Sequence, residues 1–75
     1  MTYKFPQFNV EITDPRIEVL NVIDSIALKT CNVNVLLSTD TANFGVTLYG
    51  FTYVSDWNDE EVEIWTIVEL SKYAV

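Results

Sequence analysis

The run Cys31-Asn32-Val33-Asn34-Val35-Leu36-Leu37 alternates apolar and polar residues with a period of two through Val35, and Leu37 keeps the phase. Successive side chains of a strand point to opposite faces of a sheet, so Cys31, Val33, Val35 and Leu37 share one face while Asn32 and Asn34 share the other. A helix would scatter these positions around its circumference. β-Branched valines suit a pleated, covered surface and asparagine amides suit water. The spacing predicts a strand over about 29–38 in a sheet with one covered and one wet face, an arrangement typical of antiparallel sheets.

The rest of the chain is arranged around that strand. Phe8, Val10 and Ile12 share one parity, with Asn9 and Glu11 on the other, predicting a strand over about 4–12. Thr13-Asp14-Pro15 breaks it, and the proline is expected to push Asp14 into extended backbone. Ile17, Val19 and Ile23 are in phase over 16–23, but Leu20 and Val22 are not, so this strand is either covered on both sides or shifts phase partway. Ile26 and Leu28 are even where the next apolar residues are odd, which requires a bulge or tight turn near Lys29-Thr30. Over 46–54, Val46, Leu48, Thr52 and Val54 share one face and Tyr49, Phe51 and Tyr53 the other, while Gly50 marks a bulge or a close backbone approach.

A helix is predicted over about 58–73. Asn58 is a good N-cap, Glu61 three residues later completes a capping box, and Trp57 can staple onto Val62. Asp59, Glu60 and Glu61 complement the positive end of the helix dipole. Ile64, Trp65, Ile67 and Val68 form its main apolar face, with Val62, Leu70 and Tyr73 lying off it. That stripe is too wide for a helix resting on one sheet with its back wholly in water. The expected fold is α+β: one domain over 1–75, with a four-stranded, mainly antiparallel sheet and one C-terminal helix packed on it.

Composition removes several functions. There is no histidine and one cysteine, so the commonest metal sites and an internal disulfide are excluded. A serine or cysteine nucleophile would lack its usual base, and 75 residues offer little wall for a substrate cleft. Asp56-Trp57-Asn58-Asp59-Glu60 echoes the start of a calcium loop, but Glu61 stands where glycine is needed and Ile67 where a bidentate glutamate is needed. No catalytic residue, metal ligand or cofactor site is therefore assigned. The net charge of −7, with four scattered cations, disfavours direct nucleic-acid binding. The absence of a signal-like or membrane-spanning run and the lone Cys31 fit a cytoplasmic protein.

What remains is recognition of another protein. Tyr49, Phe51 and Tyr53 form a candidate interface, since aromatics are favoured anchors. Asp56 and Glu63 exceed what helix capping asks for, and with Glu69, and Asp40 further away in sequence, they form a candidate acidic patch. The expected role is a non-enzymatic protein-binding or structural accessory module, self-associating as a homo-oligomer. The alternative is an acidic inhibitor that imitates nucleic-acid charge in the basic groove of a partner protein. The opening Tyr3-Lys4-Phe5-Pro6-Gln7-Phe8 and the aromatic-acidic run Trp57-Asn58-Asp59-Glu60-Glu61-Val62-Glu63-Ile64-Trp65 give a short acidic chain that resembles the small orphan proteins of tailed bacteriophages. That resemblance implies a viral accessory or virion-associated role and assigns no functional residue.

Overall fold

The computed structural model describes residues 1–25, 27–50 and 57–75. Its elements are β1 (Thr2–Phe5), a 3-10 turn (Pro6–Phe8), β2 (Val10–Thr13), β3 (Arg16–Ser25), β4 (Thr30–Ser38), β5 (Asn43–Gly50) and α1 (Asp59–Ser71). The fold is α+β, but among the described residues five strands replace the expected four. β3, β4 and β5 make an antiparallel meander, and β1 and β2 form a separate hairpin. The expected strand over 46–54 runs from Asn43 to Gly50 among the described residues, and its last positions lie outside them.

The extra strand comes from the expected 4–12 segment, which the chain folds in half. Pro6 has a fixed φ and no N–H to donate, so it opens the 3-10 turn rather than continuing a ladder. Asn9 then takes a left-handed conformation (φ 51°) and donates its N–H to the Pro6 carbonyl at 3.2 Å. Asparagine tolerates that region better than most residues. The reversal sets Phe5 opposite Val10 and Tyr3 opposite Ile12. Asp14 also departs from expectation: its φ is 47°, not extended, and its N–H reaches the Met1 carbonyl at 2.8 Å. The far edge of β1 is covered by the C-terminal tail, where Lys4 N–H donates to Tyr73 O (2.8 Å) and Val75 N–H to Thr2 O (2.9 Å).

The phase change in β3 is a bulge. Val19 pairs with Val35 and Asn21 with Asn34, leaving Leu20 as the additional residue. Ile17 and Val19 point inward before it, and Val22 does so after it, each set in register with an inward residue of β4. The turn to β4 closes through Lys29, which takes a φ of 54°.

Cys31, Val33, Val35 and Leu37 are buried as their spacing predicts. Val33, Val35 and Leu37 form one core with Tyr3, Phe5 and Ile12 of the hairpin, Val46 and Leu48 of β5, and Leu70 of α1. Hairpin and helix thus cover the same face of the meander. Phe5 sits at the junction, with ring centroids 4.7 Å from Tyr73 and 5.3 Å from Phe44. On the opposite, wet face Asn34 links all three strands: its amide nitrogen donates to Asn21 Oδ1 (2.8 Å), and its oxygen accepts from Thr47 Oγ1 (2.7 Å).

Candidate interaction surface

The helix begins as its cap predicts: Asn58 is the N-cap, and its side-chain oxygen accepts from Glu61 N–H at 2.8 Å. Its orientation is not the expected one. Val62, Thr66 and Leu70 face the core, whereas Ile64, Ile67 and Val68 are 58%, 49% and 55% exposed. Of the four residues expected to face inward, Ile64, Ile67 and Val68 are outward and Trp65 alone packs against the core. The ring of Trp65 packs on Gly50: a Cβ placed there would lie 2.6 Å from Trp65 Cζ2. The close approach suggested by Gly50 is therefore real, and it fixes the roll of the helix. Thr66, though polar, is tolerated inside because its hydroxyl donates to the Val62 carbonyl at 2.8 Å.

Electrostatics explains why the more apolar side is outside. On a helical wheel, Glu60 and Glu61 flank Ile64 and Val68 within the same third of the circumference. Rolling α1 to bury Ile64 would carry both carboxylates into the core, where an unpaired charge is strongly disfavoured. The inward face is bordered by Asp59 and Glu63, which stay exposed along its β3 edge, and by Glu69, whose carboxylate accepts from Lys72 Nζ at 2.9 and 3.0 Å.

The outer face has relief. Ile64 and Val68, four residues apart, form a ridge with a shallow groove on each side. One groove is lined by Trp57, Glu61, Ile64, Trp65 and Val68, the other by Glu60, Glu63, Ile64, Ile67 and Val68. Below Ile67 a third depression runs between helix and sheet, bounded by Ile17, Glu18, Val19, Glu63 and Thr66. Every charged residue lining the three is a glutamate.

The sequence-predicted candidates disperse. Tyr49 is 72% exposed on the wet face of the sheet, paired with Asn32, while Phe51, Tyr53 and Asp56 lie outside the described residues. Glu63 and Glu69 stand about 120° apart around the helix. Glu63 borders β3, and the Glu69 side chain is 21% exposed beside Lys72. The structure does not bring these two together. Ile64, Ile67 and Val68 were missed as surface residues because they resemble core. The signal that identifies them is the glutamate pair that shares their side of the helix.

Chemistry at the remaining candidate group is muted. Cys31 is buried, and its thiol is pushed above its ordinary range by burial first and then by the nearby carboxylates of Asp24 and Glu69. A neutral, enclosed thiol is a poor nucleophile. Among the described residues no three metal-ligating side chains converge, and no helix is long and apolar enough to cross a membrane. Comparison with protein-family models, curated proteins and solved structures finds no match.

Proposed function

We propose that this chain is a non-enzymatic protein-binding module whose contact surface is the outer face of α1. The observation that carries the reading is the exposure of Ile64, Ile67 and Val68 at i, i+3, i+4 spacing beside Trp57 and Trp65. Single exposed apolar residues are ordinary, but a contiguous apolar ridge is a feature of contact sites. Helix-in-groove recognition uses this spacing of anchors. An accessory role, as in the phage proteins the sequence resembles, would use a small chain in this way.

Magnitudes temper the expected affinity. Covering three half-exposed aliphatic side chains contributes about 2–5 kcal/mol. Association costs about 4–15 kcal/mol in lost freedom. The ridge alone does not support a tight complex, so further contacts must come from the indole rings or from charge.

Photo-cross-linking tests the reading. A benzophenone amino acid at position 64 or 68, introduced in the cells that express the protein, is expected to trap one protein partner. The same group at position 49 on the wet sheet face should trap none. Cross-links from position 49 but not from the helix would overturn the assignment.

A further inference from the structure

We infer that the occupant of the outer face of α1 is a basic amphipathic helix of another protein, an inference that rests on the reading of that face as a contact surface. Two observations favour this occupant. The Ile64–Val68 ridge with a groove on either side is the relief that accepts rows of side chains from a second helix. The rims of those grooves carry Glu60, Glu61 and Glu63 and no cation. A complementary partner places apolar side chains over Ile64, Ile67 and Val68, and lysine or arginine over the glutamates. Like-charge juxtaposition suppresses wrong partners and opposite charge speeds the right encounter.

A second copy of the chain fits less well. It would bring the same three glutamates to the same rims and a net charge of −7 to a partner of −7. Lys72 is the cation nearest this face along the helix, and it is held by Glu69.

The test uses the full chain and synthetic helical peptides. One peptide carries leucine at i, i+3, i+4 and i+7 with lysine elsewhere, a second replaces lysine with glutamate, and a third scrambles the first. Binding is read by Trp fluorescence and calorimetry, with sedimentation equilibrium of the chain alone. The chain is expected to be monomeric and to bind the lysine peptide at least tenfold more tightly than either control, with affinity falling as salt screens the rims. Ile64→Asp, and separately the triple change Glu60→Gln, Glu61→Gln, Glu63→Gln, should each weaken binding at least tenfold while circular dichroism stays unchanged.

If the triple variant binds equally well, or the glutamate peptide matches the lysine one, the basic occupant is wrong while the contact face stands. A chain that self-associates until Ile64→Asp is introduced makes a second copy the occupant and also overturns the inference. Binding that neither Ile64→Asp nor Val68→Asp weakens overturns inference and contact face together.

Discussion

Leu70 and Ile64 share one helix and close to one side-chain volume, yet the structure assigns them opposite energetic roles. Leu70 is fully buried in the common core, and Ile64 is more than half exposed. Truncating a buried leucine to alanine removes its transfer energy and leaves a cavity, costing about 2–5 kcal/mol. A domain of this length is held by about 4–11 kcal/mol in total, from roughly 0.05–0.15 kcal/mol per residue. Leu70→Ala should therefore remove a large share of the stability and lower the thermal midpoint by at least about 10 °C. Ile64→Gln removes little buried surface and places a better helix former in the turn, so its effect should stay within about 0.5 kcal/mol. Urea unfolding followed by circular dichroism gives both values, with an unchanged m-value confirming that only stability moved. If Ile64→Gln costs 2 kcal/mol or more while Leu70→Ala costs less than 1, the helix is rolled the other way and the outer-face argument is wrong.

Three further outcomes are expected. Gly50→Ala puts a methyl group 2.6 Å from a Trp65 ring atom and 3.3 Å from Cys31 Sγ. Overpacking of about 1–3 kcal/mol should then exceed the 0.4–1 kcal/mol gained from a stiffer unfolded chain, a net loss readable by urea unfolding and a shift in Trp emission. Asn58→Ala should cost about 0.5–2 kcal/mol by removing the acceptor for Glu61 N–H, whereas Asn58→Asp keeps that acceptor, and thermal melts of the two variants check the contrast. Cys31 has its pKa raised above 9.0 in the folded chain, so its contribution to stability is intact below about pH 9 and is lost as pH rises through the folded value. Unfolding free energy measured across alkaline pH should fall more steeply for the native chain than for Cys31→Ala.

Legibility in the sequence followed the strength of local constraints. The period-two run of β4 and the Asn58 cap were readable because each is set by a few adjacent residues. The β3 phase change was visible as a conflict of parity at Leu20, and the bulge resolves it. The hairpin was obscured because Phe8, Val10 and Ile12 keep one parity straight through the reversal. Only Pro6, which cannot serve a ladder, and Asn9, which tolerates positive φ, marked the turn. The helix face was ambiguous for a different reason: apolar residues occupy most of its circumference, so periodicity could not choose a side. The choice was made by long-range partners, with Trp65 meeting Gly50, and by the cost of burying Glu60 and Glu61. Tyr49 was placed on a separate face by strand parity, and the structure agrees, with Val46 and Leu48 inward. The acidic residues were readable as a composition but not as a surface, since helical spacing separates Glu63 from Glu69.

The pairing of the C-terminal tail with β1 has a kinetic consequence. Thr2 and Val75 are 73 positions apart in sequence (75 − 2), so their hydrogen bond closes a far longer loop than any within the meander. The entropy of that closure is lost before the contact returns anything, whereas the β3–β4–β5 meander closes only short loops. The meander can thus form first and serve as a template, and the hairpin, helix and tail then dock onto it. Substitutions at Tyr73 or Ala74 should accelerate unfolding and leave the folding rate almost unchanged, the signature of contacts absent from the transition state.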